Sequence, residues 1–336
     1  MTRTVGIGAI AMIGAGVAGI FVISAWLGAE LLSWPEIVRV FAEPDRTMSR
    51  IVLEWRLPRV LTAFCIGACL AMGGVVFQGV FRNPLAEPYL LGSASGAAVG
   101  ATVSLLAPLA LPILVTLPTL SFVGAWGATM IVVMIARVAG VKDSHGLLLA
   151  GVAVAAVLGS VRGLLMMYLS DETMDLKVVM SWLLGGVQTP HWREFALLAG
   201  LTAAGIAACM WLARGLDVLG FGDDVATSMG LDVDAFIKRA VLIAAAVTAV
   251  AVVWGGLVGF VGLIVPHLVR WWLGPLHRRL VLASAIGGGT LVMLVDGIAR
   301  AIAPPSEVPL GLLTALIGGP FFIAVLAKES RRWARS

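Results

Sequence analysis

Residues 56–97 read RLPRVLTAFCIGACLAMGGVVFQGVFRNPLAEPYLLGSASGA, and this stretch decides the architecture. It opens with Arg56 and Arg59 beside Pro58, runs through some twenty apolar residues, breaks at Asn83-Pro84 and Glu87-Pro88, and restarts at Gly92, Gly96 and Gly100. A helix rises about 1.5 Å per residue, so roughly twenty apolar residues cover about 30 Å of hydrocarbon. The segment therefore reads as one membrane crossing, a tight turn, and the start of the next.

Composition extends that reading to the whole chain. Of 336 residues, 60% are hydrophobic and only 12% charged, and the mean hydropathy is +1.01. A soluble domain carries about twice that charge. Nine apolar blocks are long enough to cross, near residues 5–32, 58–80, 89–111, 113–136, 147–169, 195–213, 240–273, 280–302 and 309–327. The first is longer than a signal-peptide core of about 7–15 residues and is read as a span. The seventh is too long for one crossing, and Trp254-Gly-Gly, Gly259, Gly262 and Pro266 interrupt it where the chain could reverse. Charge decides how to count it. If it crosses once, Arg270, Arg278, Arg279, Lys328, Arg331, Arg332 and Arg335 all fall outside; two crossings keep them inside, as the positive-inside rule favours. The expectation is an all-α polytopic membrane protein, one transmembrane domain over residues 1–336, with ten transmembrane helices and both termini cytoplasmic.

Several functional classes are disfavoured. None of the four lysines, Lys142, Lys177, Lys238 and Lys328, follows a glycine, so there is no Walker-type phosphate loop. The histidines His145, His191, His267 and His277 are scattered, which argues against a catalytic or metal cluster. Cys65, Cys69 and Cys209 offer no paired framework; Cys65 and Cys69 stand one turn apart and read as packing. An ion-coupled secondary transporter would need intramembrane ionisable groups. Only Arg162 and Asp296 qualify, and Asp296 stands one helical turn before Arg300, which suits a local ion pair. Forty glycines, including the Gly92/Gly96/Gly100 and Gly255/Gly259 ridges, suit close helix packing. No feature points to nucleic acid.

The most polar loop is 214–239. Asp223 and Asp224 are expected to cap a short helix that Gly230 ends in a left-handed conformation, forming a rigid knob between two spans.

In order along the chain, Arg56-x-x-Arg59, Gln78, Arg82-Asn-Pro-Leu-Ala-Glu-Pro88 and Leu91-Gly-Ser-x-Ser-Gly-Ala97 resemble the FecCD-type permeases, the membrane subunits of ATP-binding cassette (ABC) importers for iron chelates, haem and cobalamin. Leu147–Val152, Ser181–Gly186, Gly259–Arg270, Asp296–Arg300 and Glu307–Gly311 fall in the same family order. The resemblance implies a permease that moves an iron chelate (siderophore or haem) or, alternatively, cobalamin, from periplasm to cytoplasm across the bacterial inner membrane. It implies a second copy of the chain, two ATP-binding subunits on the cytoplasmic face, and a periplasmic or lipid-anchored substrate-binding protein. No cofactor is expected on this chain, and ATP is used by the partner.

Site residues carry over one by one. Arg56, Arg59 and Arg300 are implied to dock the binding protein, against the simpler reading of headgroup anchoring. Asp224-Val-Ala226-x-x-x-Gly230 is similar to the Glu-Ala-Ala-x-x-x-Gly coupling loop, with Asp for Glu and Val for the first Ala; Asp224, Ala226 and Gly230 are the implied coupling residues. Leu85, Ser144 and His145 are implied at the inner gate. Arg162, about 22 Å into its span, has two readings: it lines the translocation pathway with Met166 and Met167, or it snorkels toward Asp171 or Glu172.

Overall fold

A computed structural model describes residues 7–26, 40, 42, 47–139, 144–169, 173–188, 191–304 and 306–333. Twelve helices are named here: α1 Ile7–Trp26, α2 Thr47–Val80, α3 Ser93–Leu106, α4 Ile113–Val138, α5 Ser144–Leu169, α6 Thr173–Leu183, α7 Trp192–Leu219, α8 Asp223–Ser228, α9 Val233–Gly255, α10 Val261–Leu273, α11 His277–Ile302 and α12 Leu310–Trp333. Among the described residues there is no strand. Among the described residues six helices (α2, α4, α5, α7, α9 and α11) are long and apolar enough to cross a membrane, and shorter apolar helices lie at 14–26, 93–106, 261–273 and 310–325.

Helix α2 is the hub. Its apolar run is almost wholly buried, and α7, α9, α10 and α11 pack around it. Near its start, Ile51–Arg56 widen into a π-helical turn, and the Leu57 N–H bonds to the Val52 carbonyl five residues back. Pro58 explains the widening, because a proline removes one N–H and its ring crowds the carbonyl four residues earlier. Glycine sets the closest approaches: the backbones of α2 and α11 meet at Gly67 and Gly288, and those of α2 and α10 at Gly74 and Gly262. The Gly96 and Gly100 ridge is likewise spent inside the fold, against α4 at Gly124 and Leu120. Cys69 and Cys209 pack in the core, and Cys69 Sγ lies 3.5 Å from the Thr202 hydroxyl.

The long seventh block is two helices, α9 and α10, separated at Gly256 (φ +62°) and Phe260 (φ +67°). The stretch between the apolar blocks 147–169 and 195–213 contains α6 and a turn. That turn's backbone joins the break, with Gly186 N–H to Gly255 O at 3.0 Å and Gln188 N–H to Trp254 O at 2.9 Å. The start of α12 closes onto the same turn through Leu310 N–H to Gly185 O, 2.9 Å. The turn after α2 also reaches it: Glu87 accepts the Phe260 N–H at 2.6 Å and Tyr89 donates to Val258 O at 3.1 Å. Several irregular segments thus satisfy one another beside the middle of α2. Irregular backbone at membrane depth is tolerated only where protein buries it or it borders a watery cavity.

Candidate docking, coupling and translocation sites

At the N-terminal end of α2, four charged side chains form one network. The Arg59 guanidinium places its two terminal nitrogens on the Glu307 carboxylate at 2.8 and 2.7 Å. It also reaches Asp296 Oδ1 at 3.0 Å. Asp296 is 1% exposed and takes Arg300 Nε at 3.0 Å on its other oxygen, while Arg300 Nη2 donates to the Ser24 carbonyl at 2.8 Å. A buried carboxylate between two guanidinium groups satisfies the rule that interior charges are paired and hydrogen-bonded. Burial works to raise the Glu307 carboxyl, yet the hydrogen bond and positive charge of Arg59 outweigh it and hold the group below its ordinary value. The one-turn pair Asp296–Arg300 is thus part of a larger cluster. Arg59 and Arg300 meet on Asp296, and Arg56 stands partly buried at the end of the π-helical turn.

At the opposite end of α2 sits α8. Gly222 (φ +103°), and neither aspartate, occupies the cap position, and no side chain caps the helix. The expectation for Asp223 and Asp224 as caps is corrected: both lie in the first turn, where negative charge still complements the helix dipole. Asp223 turns instead to Arg82, with an N···O distance of 2.6 Å. Gly230 is left-handed (φ +86°), as expected, and Ala226 is fully buried. Phe221, Val225 and Met229 fall four residues apart and are 71%, 45% and 61% exposed, an apolar stripe on the outside of the knob.

Leu85 belongs to the turn after α2, half-buried, its N–H held by the Asn83 side chain at 2.9 Å. The side chains of Ser144 and His145 lie outside the described residues. Arg162 is half-buried on the stripe of α5 that carries Leu147, Gly151, Val154 and Leu158 toward the bundle. Among the described residues its Nε is buried with no hydrogen-bond partner; Asp171 and Glu172, the partners of the snorkelling alternative, lie outside them. Met166 is half-buried beside it and Met167 is exposed. The rest of α5 is largely uncovered.

These features coincide with a sequence match along nearly the whole chain: the model of the FecCD transport family aligns with residues 10–328. The chain belongs to the FecCD transport family. Among relatives of this FecCD permease, the cobalamin import system permease protein of Halobacterium salinarum is 38% identical, covering 90% of this chain and 81% of the relative. The hemin transport system permease protein of Yersinia pestis is 36% identical, covering 91% of each. A solved structure described as an inward-facing conformation of a metal-chelate type ABC transporter superposes with a TM-score of 0.83 at 29% identity, over 94% of this chain and 98% of that one. This FecCD protein is therefore a multi-pass membrane permease of the ABC-importer type, and its family supplies the permease and not the ATPase.

Sequence reasoning missed two groups of functional interest, Glu307 and the Arg82–Asp223 pair. Glu307 was visible only as part of a family block, and its partner Arg59 is 248 residues away. Arg82 bonds Asp223 across 141 residues.

Proposed function

We propose that the chain is the membrane-spanning subunit of an ABC importer for an iron chelate, siderophore or haem, with cobalamin as the alternative cargo. The carrying observation is the polarity of α2: a charged network at one end, an apolar knob at the other, and a seam of broken helices between them. Ten crossings accommodate this, six by the long helices and four by the shorter apolar ones, with both termini cytoplasmic in a bacterial inner membrane. Two copies surround one pathway. Two ATP-binding subunits dock on α8 through the stripe of Phe221, Val225 and Met229, with Asp224, Ala226 and Gly230 shaping the knob. An extracytoplasmic binding protein meets the end that carries Arg56, Arg59 and Arg300. Arginine suits that role because its planar fork matches carboxylates.

The hemin and cobalamin relatives and the metal-chelate structural neighbour support the cargo class. Arg162, half-buried and with no partner for Nε among the described residues, supports an anionic group on the cargo. Leu85, with Ser144 and His145, forms the inner gate. The test is uptake into proteoliposomes holding the chain and its ATPase partner, using labelled haem, ferric siderophores and cobalamin. ATP-dependent uptake of a chelate is expected. Uptake driven by an ion gradient without ATP overturns the reading.

A further inference from the structure

We infer that Arg82 is a positioning residue whose ion pair with Asp223 carries movement of α8 to the Leu85 turn; the inference rests on the reading of α8 as the ATPase knob and Leu85 as a gate residue. The starting observation is an arginine where glycine is at home. Helix α2 ends with Arg82 N–H on Gly79 O at 3.3 Å and Asn83 N–H on Gln78 O at 3.2 Å. That pair of hydrogen bonds is the Schellman stop, and it puts Arg82 in the left-handed region at φ +47°. Helix α8 ends the same way, with Gly230 N–H on Thr227 O at 2.9 Å and Leu231 N–H on Ala226 O at 3.0 Å. There the equivalent residue is Gly230. Of these two stops, the one that keeps a side chain is the one whose guanidinium reaches another element.

Stability does not account for that choice. A non-glycine residue in this conformation is strained. An exposed ion pair adds little to folding, and the side chains of Arg82 and Asp223 are 36% and 53% exposed. What the pair does supply is a connection. On the α2 side, the last turn is fixed, since a Cβ at Gly79 would lie 2.6 Å from His277 Nε2 and 3.1 Å from Leu216 Cδ2. His277 is itself held by Asp217, which accepts from its backbone N–H at 2.9 Å and contacts Nδ1 at 2.7 Å. Beyond Arg82 the turn is stiff. Asn83 accepts the Leu85 N–H on its side chain at 2.9 Å and the Ala86 N–H on its carbonyl at 3.1 Å. Arg82 is the joint between a fixed helix end and a stiff turn carrying Leu85, and its guanidinium is the handle. Asp223 is the first residue of α8, and the Thr227 hydroxyl bonds its carbonyl at 2.8 Å, so the carboxylate moves with the knob.

The test uses the complete transporter in proteoliposomes with a Leu85→Cys reporter. The native Cys65, Cys69 and Cys209 are buried and stay silent. Labelling by a water-soluble maleimide is compared between nucleotide-free and vanadate-trapped states, and a difference of at least about fivefold is expected, the lower end for coupled sites. Arg82→Gly relieves the strained backbone. It is expected to leave ATP hydrolysis and the melting temperature unchanged or raised, and to abolish the labelling difference; the exchange R82D/D223R is expected to restore it. A labelling difference that survives Arg82→Gly overturns the inference, as does an exchange variant that hydrolyses ATP normally without restoring it. Failure of the underlying reading shows separately. Met229→Asp that leaves the ATPase bound refutes the knob, and a Leu85→Cys reporter that labels alike in both states of the parent refutes the gate; either removes the inference with it.

Discussion

Replacing Gly288 by alanine tests the claim that glycine, by letting two backbones touch, holds α11 against the central helix. The new Cβ would sit 2.5 Å from the Ala71 Cβ and overlap the Gly67 carbonyl oxygen. Carbon atoms pack at about 3.5–4.0 Å, so α2 and α11 must part by about 1 Å, and a gap of that size forfeits up to about half of each dispersion contact along the seam. Neither obstacle can rotate away, because one is main chain and the other is a lone methyl. Overpacking costs about 1–3 kcal/mol, and the upper part of that range applies here, which for a chain of this size corresponds to a fall of about 5 °C in melting temperature. The matched control is Gly200→Ala, where an added Cβ meets nothing within 4 Å and helix propensity gains up to about 1 kcal/mol. Melting followed by tryptophan fluorescence in one detergent reads both variants. Equal midpoints for Gly288→Ala and Gly200→Ala would refute the reasoning, since chemistry is identical at the two sites and only the neighbours differ.

Four further outcomes are expected. Glu307→Gln frees the Arg59 fork and is expected to tighten binding-protein affinity by about two- to fivefold, the worth of an exposed pair; surface plasmon resonance reads it, and weaker binding would count against docking at Arg59. Because Arg59 lowers the Glu307 carboxyl in the folded state, that pair's stabilisation is present above the unfolded value of about 4.3 and is lost as pH falls through the folded one. The melting temperatures of parent and Glu307→Gln should therefore converge in acid, and a gap that widens there removes the assignment. Gly230→Pro places a residue fixed near φ −65° where the chain needs φ +86°; the protein should still insert and purify, yet lose ATPase assembly in pull-down and all uptake. Arg162→Gln is expected to reduce uptake of carboxylate-bearing cargo while binding-protein docking and ATP hydrolysis persist, and full uptake in that variant would assign the side chain to the helix.

The all-helical membrane character and the long apolar helices were legible in the sequence because hydrophobic length and helical rise are local properties. So were the break within 240–273, marked by Trp254-Gly-Gly and Gly259 although Gly262 and Pro266 lie within α10, the left-handed Gly230, and the one-turn pair Asp296–Arg300. Helix α6 was not, since Thr173–Leu183 is only 11 residues long and mixes Asp175 and Lys177 with its apolar positions. The partners of the charged groups were out of reach for a different reason. Asp223 stands where a cap is expected, and only the folded chain, by bringing the end of α2 beside α8, turns it to Arg82. Likewise Arg59 could be read as a free docking group until Asp296 and Glu307 closed on it. A sequence states which residues need a partner at membrane depth; the packing of helices distant along the chain chooses which partner each one gets.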